Sequence, residues 1–183
     1  ATPDAAESQM CPWAQTLPFV VQSVPRLAEV RERVLAPTVR FRLGEAHVAR
    51  ELVPLGRALG AGVRRTLRAA ARAFAAQQAF RTDLETAGRE ALATLESTGE
   101  PGIVLVGRGY NIHDRAVNLD VPGKLRDYYG INVIPLDCLP LESEDIRDVN
   151  DNMYWHSARR ILAAGKLAAR HPNLHLIYLT NFK

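Results

Sequence analysis

Between Gly102 and Asp114 an apolar run, Gly102-Ile103-Val104-Leu105-Val106, breaks into Gly107-Arg108-Gly109 and then into the hydrogen-bonding side chains of Tyr110, Asn111, His113 and Asp114. Successive apolar residues without alternation read as a strand covered on both faces, and such strands belong to parallel sheets. The rest of the chain repeats the theme. Residues 117–129 read as a short helix or irregular crossover interrupted by Pro122 and Gly123, 131–136 as a second strand, 144–170 as a long helix and 174–180 as a third strand. Strands separated by helical crossovers predict an α/β fold: a three-layer parallel sheet, a Rossmann- or flavodoxin-like half. Ligands of such sheets collect at the carboxyl ends of the strands, here residues 107–113, Asp137-Cys138 and Thr180-Asn181.

The first half reads differently. Residues 1–16 are polar and alanine-rich and are expected to enter the fold as an extended arm. The run 17–24 contains Pro18, is followed by Pro25 and reads as a short edge strand or a turn, and 33–41 alternates loosely enough to suggest a second short strand. From Glu45 the period becomes helical, with Val48, Leu52, Leu55 and Leu59 on one face, Pro54 as a kink, and Gly60 and Gly62 as breakers. Val63, Leu67, Ala70, Ala71 and Phe74 open a longer stripe that drifts through Phe80, Leu84, Ala87, Ala91, Leu92 and Leu95, so one helix or two stacked helices should run to about Ser97. Thr98-Gly99-Glu100-Pro101-Gly102 ends it. The expected division is therefore a long-helix region with short edge strands over 1–98 and a parallel α/β subdomain over 99–183.

Composition sets outer limits. At 183 residues, 47% hydrophobic and 23% charged, the chain can build one good core or two small domains. It has no apolar run long enough for a bilayer and no basic-then-apolar N-terminal pattern, so a cytoplasmic setting without membrane contact is expected. Two cysteines, Cys11 and Cys138, provide neither a disulfide framework nor a local C-x-x-C pair. The net charge of +3 does not by itself imply nucleic-acid binding. Charge is nevertheless concentrated: from Arg57 to Arg81 there are six arginines and no acids, with Arg64, Arg68 and Arg72 four residues apart. A solvated helix face is one reading, and an acidic partner or neighbouring domain is the other.

The motifs exclude several chemistries. Gly107 and Gly109 match the first and third glycines of a dinucleotide fingerprint, but Ile112 stands at the sixth position, and no Walker loop occurs. What the loop retains is a glycine-flanked backbone able to bind an anion, beside Arg108, Tyr110, Asn111 and His113, or else a tight turn whose polar groups satisfy one another. Asp148, Asn150, Asp151, Asn152, Tyr154, Trp155 and His156 form a second polar concentration, which fits neither a calcium loop nor an H-E-x-x-H zinc helix. Early in a helix these residues read as caps. His171 and His175 flank a turn, and no covalent-nucleophile motif is present.

Gly107-Arg108-Gly109-Tyr110-Asn111, His113-Asp114, Asn118, Pro122, Ile134-Pro135, Asp148, Asn152, Tyr154-Trp155 and Leu179-Thr180-Asn181-Phe182 together resemble the 2-hydroxyacyl-CoA dehydratase and benzoyl-CoA reductase superfamily. More closely, the chain is similar to the dehydratase-like, activase-related region of large CoA-substrate-specific enzyme activase proteins, over about residues 9–183. Relatives usually read Gly-Arg-Pro-Tyr in the loop, where this chain has Gly109. The resemblance implies ATP-driven, low-potential electron transfer, in which an iron-sulfur activator ATPase passes an electron to a partner holding a [4Fe-4S] or double-cubane cluster on cysteine thiolates. It makes Cys11, in Cys11-Pro12, a possible cluster ligand, places Arg108, Tyr110, Asn111 and His113 at a substrate- or anion-binding cleft, and makes the other domains of a parent polypeptide the partners. Cys138 matches no motif and reads as a buried thiol. A fragment of a longer polypeptide, cut after the third strand and not active alone, is the resulting expectation. The alternative is a non-catalytic scaffold or interaction domain that docks an activator ATPase, through the face carrying Arg57 to Arg81.

Overall fold

The computed structural model describes residues 12–180. The chain divides between Phe80 and Arg81 into two compact units. The first is helical: α1 (Pro12–Ser23), a 3-10 helix (Pro25–Arg33), irregular chain, a 3-10 turn (Phe41–Leu43), α2 (Glu45–Glu51), α3 (Val53–Ala58) and the opening turns of α4 (Val63–Thr98). Both short edge strands expected at 17–24 and 33–41 are therefore corrected, to helix and to irregular chain with 3-10 turns. Strands need a neighbour to take their backbone hydrogen bonds, and this unit offers no sheet among its described residues. Helical turns satisfy them locally, at Leu27 N–H to the Val24 carbonyl (3.0 Å) and Val34 N–H to the Arg31 carbonyl (3.1 Å). Gly56 admits α4 closely, since a Cβ there would stand 2.0 Å from Thr66 Oγ1.

α4 runs unbroken for 36 residues, about 54 Å, on a sequence rich in alanine, arginine and leucine. It stops where Gly99 turns left-handed (φ 69°) and donates its N–H to the Leu95 carbonyl at 2.9 Å. In the second unit its last turns bury Gly88 and Leu95.

The second unit is α/β: β1 (Gly102–Gly107), α5 (Gly109–His113), α6 (Val121–Tyr129), β2 (Asn132–Pro135), a 3-10 turn (Leu136–Cys138), α7 (His156–Ala169) and β3 (Leu174–Leu179). The strands form a three-stranded sheet in the order β2-β1-β3, parallel throughout, with Gly102 opposite Asn132 and Leu174, and Gly107 opposite Leu179. Every residue of β1 is buried, as its unbroken apolar run predicts for a central strand covered on both faces. Pro135 lacks a donor and sits at the end of the edge strand β2, where none is required on the open side. Val104, Leu105, Ile134, Leu139 and Leu141 centre the core, and α7 joins it through Ala163 and Ala164. Asn173 fastens the amino ends of the strands, donating from Nδ2 to the Leu95 carbonyl (2.8 Å) and the Glu100 carbonyl (2.9 Å) while its own carbonyl accepts the Gly102 N–H (2.9 Å).

The helix expected over 144–170 begins only at His156. Upstream, short polar side chains capture their own backbone, Asp145 Oδ1 accepting the Arg147 N–H and Asn150 Oδ1 the Asn152 N–H (both 3.0 Å), which competes with helix formation. No helix of the described residues is long and apolar enough to cross a membrane.

Gly88 gives this packing a test with an unusual sign. On an open helix face Gly→Ala stabilises by about 1 kcal/mol, but here the new Cβ would lie 1.8 Å from the Cys138 carbonyl oxygen. Gly88→Ala is expected to destabilise by about 1–3 kcal/mol in urea unfolding, and a variant as stable as the parent would refute the contact.

Candidate functional site

The carboxyl end of β1 is shaped by Gly107. Its φ of 156° is disfavoured for residues with a Cβ, and a Cβ there would meet the Leu179 carbonyl oxygen at 2.5 Å. The ends of β1 and β3 are thereby drawn together. In the order β2-β1-β3 the chain moves from β1 to one edge and then from β2 back across β1 to the other, so the crevice between β1 and β3 is the switch point where open α/β sheets bind ligands. Asn111 of α5 occupies it. The residue is 3% exposed, its Nδ2 donates to the Leu179 carbonyl at 3.4 Å, and its Oδ1 is buried with no partner among the described residues. A buried amide oxygen without a donor is uncommon and costs of order 1–3 kcal/mol.

The other loop residues diverge from it. Arg108 Nη1 donates to Tyr110 Oη at 3.3 Å, both side chains lying at the surface. His113 turns toward the end of β2, its Nε2 lying 2.8 Å from Asp137 Oδ2. Arg160 of α7 closes that group from the other side, donating from Nη1 to Asp137 Oδ1 (2.5 Å) and from Nη2 to the Leu136 carbonyl (3.3 Å). Burial pushes the Asp137 carboxyl up, but the hydrogen bonds from His113 and Arg160 outweigh it and hold the group below the usual carboxylate range. Of the four expected site residues, then, Asn111 lies at the β1/β3 crevice, Arg108 and Tyr110 pair beside it, and His113 belongs to a separate charged group. Asp137 was legible as a strand-end residue. Arg160 was not, because it contacts a residue 23 positions away on a helix whose sequence-based start lay too early.

Several motif residues prove to hold the backbone. Asp114 Oδ1 accepts the N–H groups of Ala116 (2.9 Å) and Val117 (3.1 Å). The buried Asn118 donates to the Ile112 carbonyl (3.0 Å) and accepts the Asp120 N–H (2.9 Å). These bonds sustain two left-handed residues, Leu119 (φ 54°) and Asp120 (φ 53°), and Arg115 clamps the Asp120 carboxylate with two hydrogen bonds of 3.1 and 2.6 Å. In the second polar concentration Asp148 pairs with Lys166 (2.6 Å), and Tyr154 meets Trp155 edge to face at 5.7 Å between centroids. His156 starts α7, His171 lies 3.2 Å from Glu96, and His175 is exposed on β3.

Cys11 lies outside the described residues. Cys138 is a free, half-buried thiol whose pKa is raised by burial and then by the neighbouring Asp137 carboxylate, the reverse of what a thiolate ligand needs. Among the described residues no three His, Cys, Asp or Glu side chains converge to hold a metal ion, so these residues do not fit an iron-sulfur cluster.

Fold and site together define a small parallel α/β domain with polar side chains gathered at the carboxyl ends of its strands. The family described as CoA enzyme activase uncharacterised domain matches residues 1–139, and the chain belongs to that family. The match takes in β1, the Gly107–His113 loop, β2 and Asp137. No curated protein and no solved structure matches the chain.

The Asp137 group predicts an acid dependence. A carboxyl held below its unfolded value of about 4 stabilises the fold above that pH and loses the contribution as pH falls through the lower folded value. Asp137→Asn should cost about 1–2 kcal/mol at neutral pH, and the difference from the parent should shrink below about pH 4. Parallel stability curves across that range would show that the ion pairs contribute nothing. At Cys138 the expected outcome is alkylation by iodoacetamide at neutral pH more slowly than free cysteine, and a rate equal to or faster than the free amino acid would place a thiolate there.

Proposed function

We propose that the chain is the dehydratase-like portion of a CoA enzyme activase protein that serves ATP-driven, low-potential electron transfer through an iron-sulfur cluster in the cytoplasm. Its three parallel strands are on this reading the sheet of a three-layer half of Rossmann or flavodoxin type, and 99–183 is its site-bearing subdomain. Cluster thiolates and ATPase would come from other domains of a parent polypeptide, including an activator. Cys11 is the one residue of this chain assigned to the cluster, a [4Fe-4S] or double-cubane group whose chemistry is one-electron transfer. The α/β unit's task is to hold the ligand.

The observation that carries this reading is Asn111, whose buried Oδ1 has no partner among the described residues and lies at the β1/β3 crevice of a family named for CoA enzymes. The amide oxygen accepts a donor, and the amide N–H groups of a CoA-type arm supply one. The neighbouring Arg108 is a cation suited to its phosphates. No electron-transfer step is assigned to the described residues.

Two measurements on the full-length protein test it. Calorimetric titration with coenzyme A should show binding that Arg108→Ala and Asn111→Leu each weaken by roughly tenfold, a loss of about 1.4 kcal/mol, and undiminished binding in both variants would remove the crevice from the reading. Anaerobic iron-sulfur reconstitution followed by iron counting should show less iron in Cys11→Ala and unchanged iron in Cys138→Ala, and full iron in Cys11→Ala would remove that cysteine.

A further inference from the structure

The two units differ in what they do with charge. In the α/β unit Arg115, Arg126, Arg147, Arg160 and Arg170 each face a carboxylate within hydrogen-bonding distance. The helical unit, Met10–Phe80, holds eleven arginines, no lysine and four carboxylates, a net charge of +7. From Leu52 to Thr82 there is no acid at all. Arg64, Arg65, Arg68 and Arg72 stand exposed on α4, and no described carboxylate pairs with them.

These four occupy about 12 Å of helix axis, and Arg64, Arg68 and Arg72 recur at the four-residue step that keeps side chains on one face. Val63 and Leu67, 38% and 36% exposed, lie beside them. The helix's inward stripe is a different one: Ala70 is buried and Thr66 and Phe74 half-buried. The unit as a whole is thinly cored. Among its described residues only Val48 and Ala70 are buried hydrophobic side chains, while Trp13, Phe19 and Phe41 are 82%, 69% and 72% exposed. A unit so poorly buried is marginal without further cover.

We propose that this arginine face docks an acidic helix of a protein partner. Glutamates four residues apart on such a helix have the same rise as the arginines of α4, and each guanidinium can take a carboxylate through two parallel N–H bonds. Protein interfaces favour arginine and aromatic residues and are depleted in lysine, and the unit, with eleven arginines and no lysine, has that composition. A nucleic-acid platform would interleave exposed aromatic rings with the cations, and there is none between Arg64 and Arg72; Phe74 is half-buried, and the exposed Phe80 lies eight residues beyond Arg72. A membrane-surface helix would oppose its cations with a free apolar stripe, and here that stripe packs within the unit. The inference goes beyond the strand-end reading and does not depend on it.

The test titrates the 183-residue chain with a helical peptide bearing glutamate at every fourth position and leucine on the adjoining stripe. Its scrambled isomer, a DNA duplex, and phosphatidylcholine–phosphatidylglycerol vesicles serve as comparisons. The patterned peptide should bind most tightly and weaken as salt rises. The triple variant Arg64→Glu, Arg68→Glu, Arg72→Glu should lose roughly tenfold or more in affinity, with its circular dichroism unchanged because all three side chains are exposed. Arg→Lys at the same three sites keeps the charge and should lose part of the affinity with the fork. Equal binding of the scrambled isomer, tighter binding of duplex or vesicles, indifference to the reversal, or no peptide binding would each overturn the proposal.

Discussion

Burial of β1 along its whole length is the constraint on which the α/β unit depends. Val104, Leu105 and Val106 are fully enclosed, and each such side chain contributes about 1.5–3 kcal/mol relative to exposure. A strand buried on both faces must satisfy its backbone within the sheet, which requires a neighbour on each side. Parallel neighbours require crossovers, and the crossovers supply α5, α6 and α7. Loops then emerge together at the carboxyl ends, and Gly107 permits the approach of β1 and β3 that a side chain would block. Placement of Asn111 in the resulting crevice follows from packing, and its amide oxygen, without a partner among the described residues, is the part that packing does not explain.

The charged group at the end of β2 shows how polar residues near such a crevice can be structural. Asp137 is drawn from water next to a core turn, and it remains ionised because His113 and Arg160 approach from two elements. Removing one partner would leave a half-buried charge, so the three side chains fix α5, the 3-10 turn and α7 as a set. His113, expected from the sequence at the strand-end cleft, also ties the loop to the end of β2 through Asp137. Asp114 and Asn118 act similarly, each satisfying backbone groups in a segment that contains two left-handed residues.

Sequence periodicity was decisive where burial is continuous and weak where it is not. The three parallel strands and α4 were legible because their apolar residues report the packing that holds them, Leu95 on the helical stripe and Val104 to Val106 in the strand. The runs at 17–24 and 33–41 carry a few apolar residues that suit a strand only where a neighbour exists, and neighbours are a tertiary property. Glu144 to Trp155 resembled the capped start of a long helix, yet Asp145 and Asn150 bind their own backbone, a competition that composition does not reveal. At the site, polarity after β1 marked the loop correctly but not which way each side chain turns. Asn111 and His113 are two residues apart on α5 and serve different strand ends.

Charge balance separates the units more sharply than secondary structure does. Where the chain builds a sheet and a core, its arginines are consumed in holding loops to helices, as Arg115 holds Asp120 and Arg170 holds Glu144. Where it builds helices with few buried side chains, arginines outnumber carboxylates eleven to four; Arg40 pairs with Glu51, and the arginines of α4 between Val63 and Phe80 have no acid near them in sequence. Self-repulsion among cations on one helix face destabilises that helix, so a stretch without acids between Leu52 and Thr82 carries a cost that the described fold does not offset. On the docking proposal a carboxylate-bearing helix would offset that repulsion, whereas the sheet stands on its own packing.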